Sequence, residues 1–234
     1  MSQIESAELE EIFLEYEVLT AQVDKLFQDV QSKYPKEVAC TKTCSDCCYA
    51  LFDLSLVEAM AINRAFHDKF GFGAERSAIL ERAGDADRSL TKLKYHFYKD
   101  IQQGMSDEEV LLKAAHEKIR CPLLGDDNLC MLYEHRPLTC RIYGVPTAIN
   151  GKGHVCGKCH FDKGGKYPTL QLDRIQDKLA SLSHKIVKVL GSRYTELHHV
   201  YVPVSMALMT KYDEAYLGLK QEKQEKKTMK SPLE

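Results

Sequence analysis

No run of this sequence approaches the ~18 uninterrupted apolar residues that crossing a bilayer requires, so no membrane partner is expected. The opening stretch MSQIESAELEEIF is acidic and amphipathic and lacks the basic n-region, apolar core and small-residue cleavage site of a secretory signal, which makes the cytoplasm the expected compartment. Charge of one sign is scarce too. Against 32 Lys and Arg stand 34 Asp and Glu, a formal net charge of -2 that argues against a large phosphate-binding surface and against nucleic acid as a partner. There is no Gly-rich phosphate loop, no Ser/His/Asp constellation, no pair of catalytic carboxylates and no internal repeat, so nothing of that kind marks the chain as an enzyme.

What the chain has instead is cysteine. Nine cysteines occur in 234 residues, and they are grouped. Cys40, Cys44, Cys47 and Cys48 lie in CTKTCSDCC, Cys121, Cys130 and Cys140 in CPLLGDDNLCMLYEHRPLTCRIYG, and Cys156 and Cys159 in CGKC. A chain of this length with 44% hydrophobic residues can bury a core without covalent staples. An odd count in a reducing compartment suits metal ligation or redox chemistry better than a disulfide framework.

Apolar periodicity predicts a mainly α fold: helices around a cysteine-rich, turn-rich metal-binding centre, with one or two short β-hairpins. From Leu9 through Ile12, Phe13, Tyr16, Leu19, Val23, Leu26, Phe27 and Val30 the spacing is helical up to about Tyr34-Pro35. Ser55 with Glu58, and Ser106 with Glu109, have capping-box spacing and predict two further helix starts. A helix is also expected from Ala74 to about Gln103, bent or interrupted near Gly84. Others are expected in LQLDRIQDKLASLSHKIVKVL, capped by Gly191, and in PVSMALMTKYDEAYLGL. Strands are expected only between Cys121 and Cys159, where Asn150-Gly151 has the look of a hairpin turn. The expected division is an N-terminal amphipathic helix over 1–35 and a cysteine-cluster domain with a helical insertion over 36–165. C-terminal helices packing on it follow over 166–219, and a disordered tail, poor in apolar residues, over 220–234.

Cys40, Cys44, Cys47 and Cys48 sit at relative positions 0, 4, 7 and 8, one stripe if the segment is helical. A buried apolar stripe is the plainer explanation, but Thr41, Lys42, Thr43, Ser45 and Asp46 make the setting polar. Thiolates select zinc, copper(I) or iron–sulfur centres, and short spacing is how such sites are encoded. Successive side chains diverge on a helix or strand, so Cys47 and Cys48 are expected to serve different coordination positions. Nine thiols exceed one tetrahedral site and suffice for two.

These motifs resemble the YkgJ-type cysteine-cluster family, also described as the zinc- or iron-chelating domain with the CxxCxxCC signature. The likeness runs from Cys40 to Cys159: CxxxCxxCC, a gap of about seventy residues, then CPLL…C…YEHRPLTCRIYG and later cysteines. It implies a metal-ligand role for Cys40, Cys44, Cys47, Cys48, Cys121, Cys130, Cys140 and Cys156, with Cys159 as a ninth candidate. A similar domain occurs in flagellin lysine methylases, which makes methyl transfer the analogous chemistry.

Around the thiols, Arg136 and Arg141 flank Cys140 and are candidates to offset thiolate charge; the alternative is an ordinary surface or core-bridging role, with Pro137 opening a short helix. Tyr133 and Tyr143 are expected to pack rather than to bond near sulfur. His154 and His160 neighbour Cys156 and Cys159 and would complete a mixed site only if thiols ran short. His67, His96, His116, His184, His198 and His199 carry no ligand spacing.

The residues therefore favour a metal-binding protein, iron–sulfur or zinc, whose centre organises the fold. An iron–sulfur enzyme of redox or group-transfer type is the alternative, and a zinc-ribbon-like nucleic-acid module comes third. Spacing alone does not choose the metal; the vicinal pair and the surplus ligand favour a polynuclear iron–sulfur centre.

Overall fold

The computed structural model describes residues 6–219, so the tail over 220–234 lies outside the described residues. The fold is mainly α, as the periodicity predicts. Helix α1 (Ala7–Lys33) starts where the Ser6 hydroxyl accepts from the Leu9 N–H at 3.2 Å and buries Leu9, Ile12, Phe13, Tyr16, Leu19, Val23 and Val30 along one face. It ends one residue before Tyr34-Pro35. Strand β1 (Asp53–Leu54) leads into α2 (Leu56–Lys69), whose capping box joins Ser55 and Glu58 in both directions.

Helix α3 (Ala74–Gln102) runs through Gly84 without the interruption that was one of the two expectations there. A helical glycine costs about 1 kcal/mol relative to alanine. Here Ile79, Ala83 and Ala86 are buried on either side of it and hold the segment in register. Helix α4 (Asp107–His116) has the second capping box, at Ser106 and Glu109, and buries none of its residues. Short α5 (Leu138–Ile142) opens after Pro137.

Strands β2 (Thr147–Ile149) and β3 (Lys152–His154) form the expected hairpin, turning through Asn150 and Gly151 at φ 50° and 74°. Strand β4 (Leu170–Gln171) adds parallel to β2 and runs into α6 (Leu172–Val189), after which Gly191 at φ 59° ends the helical segment. Strand β5 (Val202–Pro203) pairs antiparallel with β1, in register Leu54↔Val202. Strands therefore also lie outside the Cys121–Cys159 interval.

The last helix, α7 (Val204–Met209), is much shorter than the expected helix through Leu219. Two side chains explain the stop. The buried Asn63 amide of α2 donates to the carbonyls of Ala207 (2.9 Å) and Thr210 (3.1 Å), fixing the last turn. Asp213 then accepts from the N–H groups of Ala215 and Tyr216 and starts a separate turn.

Buried side chains form two clusters, and α2 belongs to both. One gathers α1, α5 and α6 around Val57 and Met60; the other gathers α3, α7, Leu123 and Leu132 around Ala59, Ile62 and Phe66. Phe66 and Ile186 are fully buried, and side chains of that kind each contribute about 1.5–3 kcal/mol.

Candidate metal centre

The segment carrying the first four thiols is not a helix. Residues 42–43 form a turn, and only Asp46–Tyr49 form a 3₁₀ turn, so the expected four-thiol helical stripe does not exist. Thr41, Thr43 and Ser45 favour turns over helix interior, which is the physical reason. In the tight turn Cys47 has the Cys48 and Cys140 thiols as its neighbours.

Backbone contacts bring the second group to the first. The Cys121 N–H donates to the Cys48 carbonyl at 2.7 Å, and the Ile119 N–H to that of Tyr49 at 3.3 Å. The loop after Cys121 folds back on itself. Gly125 N–H bonds the Leu129 carbonyl at 2.9 Å and Met131 N–H that of Leu123 at 2.8 Å, which returns Cys130 beside Cys121. Asn128 makes the reversal at φ 60°, a conformation asparagine tolerates.

Cys140 arrives on α5, whose Leu138 N–H donates to the buried Glu58 carboxylate at 3.1 Å. That carboxylate also accepts from the Ser55 N–H and hydroxyl, so one side chain starts both α2 and α5. Glu58 is legible in the sequence only as a capping residue. Its second partner lies 80 residues away.

The result is a cavity lined by Cys44, Cys47, Cys48, Cys121, Cys130 and Cys140, with Phe52, Ile62, Leu90 and Val204 on its apolar wall and Lys42 and Arg136 among its cations. All nine thiols are free, and Cys47 is the most buried. The thiols line a wall; among the described residues no three Cys, His, Asp or Glu side chains are grouped as a preformed ligand set. A thiol swings on a single χ1 bond, so closing a shell asks for side-chain rotation.

Desolvation and mutual repulsion dominate the ionisation of these groups. Burial pushes Cys121 up to about 12 and Cys40 to about 11, and raises Cys130. Cys47 is the exception. The Cys140 thiol, then that of Cys48, donates to its sulfur and holds its pKa down, while both donors are pushed up. Burial therefore keeps most of these thiols protonated, and ionising them needs a cation among them. A soft, positively charged metal supplies that and releases the protons, so the donor set fits a thiophilic metal.

Arg136 faces these thiols. Its charge favours the thiolates of Cys47, Cys40 and Cys130, and its guanidinium stacks 3.7 Å from the Tyr133 ring centroid, with Lys42 over the same ring at 4.9 Å. Arg141 does something else. With a side chain 8% exposed, it pairs with Asp24 of α1 and donates to the carbonyls of Arg136 and Glu134, a strut that fixes the loop carrying Arg136.

Cys40, Cys156 and Cys159 line no part of the cavity. They lie around Gly144, whose carbonyl accepts from the Cys159 thiol at 3.2 Å, and beside Asp46, whose carboxylate lies 3.6 Å from the Cys156 sulfur. Tyr143 stands here too, half-buried, raised to about 12 by burial and then by the charges of Asp46 and Cys156. His154 on β3 and His160 are exposed, and His184, His198 and His199 pack on one another. Gly144 and Asp46 were not singled out by the sequence, since neither has a motif of its own.

Residues 39–157, just over half of the chain, match the model of the CxxCxxCC family, described as "Putative zinc- or iron-chelating domain". The chain belongs to this family. No curated protein and no solved structure matches it. The CxxCxxCC domain encloses eight of the nine thiols and stops two residues before Cys159. Its two halves are separated by the α3–α4 insertion.

Proposed function

We propose that this CxxCxxCC protein is a metal-binding protein that holds an iron–sulfur centre at the thiol-lined cavity, and that the centre helps to organise the fold. The observation that carries the proposal is that Cys44, Cys47, Cys48, Cys121, Cys130 and Cys140, from three separated segments, line one cavity as free thiols. Six thiols, more than one tetrahedral ion takes, suit a polynuclear centre better than a single mononuclear site. An iron–sulfur centre supplies electron transfer or Lewis acidity. The chain's own residues supply thiolates, the Arg136 charge beside them, and an apolar wall that limits water.

That wall favours a second reading. Phe52, Ile62, Leu90 and Val204 give the cavity an apolar side next to the sulfurs, the kind of wall against which an organic group would lie in redox or group-transfer chemistry.

The test is anaerobic purification with elemental, sulfide and absorption analysis. The expected protein is brown, absorbs broadly near ~400 nm and contains iron and acid-labile sulfide. A colourless protein carrying stoichiometric zinc alone refutes the iron–sulfur assignment.

A further inference from the structure

Helix α1 has two stripes at helical spacing, and the core takes only one. Leu9, Ile12, Phe13, Tyr16, Leu19 and Val23 face inward. On the opposite side Glu11, Leu14, Val18, Ala21 and Lys25 follow one another at alternating steps of three and four residues, as along a coiled-coil seam, and all five are exposed. Leu14 is 59% and Val18 58% exposed, one turn apart. Beside them runs a groove of about 480 Å³ between α1 and α6, with the buried Leu19 and Leu182 at its base. Among the described residues nothing packs over it. Both helices lie outside residues 39–157, so the family match assigns this face no role.

Charge decides what fits there. The outward stripe begins with an acid, Glu11, and ends with a base, Lys25, with Leu14, Val18 and Ala21 between. A stripe of that kind is complementary to itself once reversed. An antiparallel second copy with the two-fold axis at Val18 sets Glu11 against Lys25 at both ends, Leu14 over the small Ala21, and Val18 against its equivalent, an isologous contact. Glu11 has no ion-pair partner among the described residues. Lys25 has only the exposed Asp29 of the next turn, at 3.7 Å, a pair that contributes little. Lys178 of α6 stands on the far wall of the groove, also without an acid partner among the described residues. Glu15 bonds Lys185 at 2.7 Å while Gln22 shares the groove with Lys178, so α1 and α6 run antiparallel and Lys178 adds positive charge toward the end where the second copy's Glu11 arrives.

We propose that the chain forms a two-fold dimer in which α1 of each copy lies antiparallel along the α1–α6 groove of the other, so that four helices pack together. From Glu11 to Lys25 the stripe is about 21 Å long at 1.5 Å per residue, shorter than an obligate interface needs. The dimer is therefore reversible, with a dissociation constant on the order of 10 μM. No residue of α1 or α6 lines the thiol cavity, so the interface and the cavity share no side chain and dimerisation does not depend on what the thiols hold.

The experiment is sedimentation equilibrium of the full chain from about 1 to about 300 μM, where the wild type is expected to pass from monomer to dimer. Leu14→Glu/Val18→Glu, at two exposed positions, is expected to raise the dissociation constant at least about 100-fold with Tm and metal content unchanged. Glu11→Lys and Lys25→Glu each set like charges against each other and are expected to raise it about tenfold; the combined Glu11→Lys/Lys25→Glu chain restores opposite charges and is expected to recover most of that loss. These charge reversals test the interface even if the first variant loses stability. A wild type that stays monomeric at about 300 μM, as it would if a different partner covered the groove, overturns the proposal. So does a dimer that Leu14→Glu/Val18→Glu leaves intact, which places the contact elsewhere, or a combined charge reversal that binds no tighter than the single ones.

Discussion

Replacing Gly144 with alanine isolates one contact on which the outer thiol group depends. Gly144 does not have a positive φ, so alanine can adopt its backbone conformation and the cost is one of space alone. The new methyl would lie 2.3 Å from the Cβ of Cys40, 3.1 Å from its sulfur and 3.4 Å from Cε2 of Phe27. A Cβ cannot rotate out of the way as a side-chain tip can, so the Cys40 backbone has to move. Overpacking of this kind costs about 1–3 kcal/mol. Loss of glycine's freedom in the unfolded chain returns about 0.4–1 kcal/mol. The net expectation is a destabilisation of about 1–2 kcal/mol, or a fall in Tm of roughly 2–8 °C for a chain of this size. Differential scanning calorimetry on the metal-loaded protein reads it, with Gly153→Ala, where nothing lies within 4 Å, as a control that stays within about 0.5 kcal/mol. A Gly144→Ala protein with wild-type Tm refutes the close packing of Cys40 on Gly144.

Glu58→Gln tests the carboxylate that starts α2 and α5. Burial raises the Glu58 pKa, so the folded state holds a proton that the unfolded state releases, and its contribution is fully present below the ordinary carboxylate range and declines as pH rises through the folded value. The stability lost on substitution, read by urea unfolding of both proteins at pH 5 and pH 8, should therefore shrink toward high pH; a loss that grows with pH contradicts the assignment. Arg136→Gln and Arg141→Gln should separate two effects. The buried Arg141 strut should cost about 2–3 kcal/mol in stability with metal content unchanged. Arg136→Gln should leave Tm within ~2 °C and speed metal loss to a chelator severalfold, since Arg136 favours the charged thiolates; equal chelator kinetics in the two variants would show that neither charge matters to the centre.

The helices were legible because each has a periodic apolar face or a cap: α1 through its buried stripe, α2 and α4 through their capping boxes, α6 through its apolar period and Gly191. The thiol segment stayed ambiguous because spacing of 0, 4, 7 and 8 fits a helix as well as a string of turns, and the polar residues between the cysteines decide for turns. The early stop of α7 was hidden because Asn63, which fixes it, is about 145 residues away. The same holds for the division of the thiols. Sequence shows four clustered cysteines, but which face the cavity depends on Gly144 and Glu58, whose decisive partners are remote in the chain.

The position of the thiols between the two cores gives the centre its structural meaning. Cys40 packs against the cluster built on α1, α5 and α6, whereas Cys121 and Cys130 pack against the one built on α3 and α7. Apart from α2, which contributes to both, the segment from Cys40 to Leu54 crosses between them and meets Cys121 only through short backbone contacts. Each such hydrogen bond contributes about 1 kcal/mol net, a small addition to the shared burial of α2 that joins the two clusters. Metal–thiolate bonds across the same seam, if the centre is held as proposed, would supply much more and would need thiols from both sides at once. On the proposed reading, a chelator that strips the metal should therefore lower Tm, and a Tm unchanged after confirmed metal loss would refute a structural role for the centre.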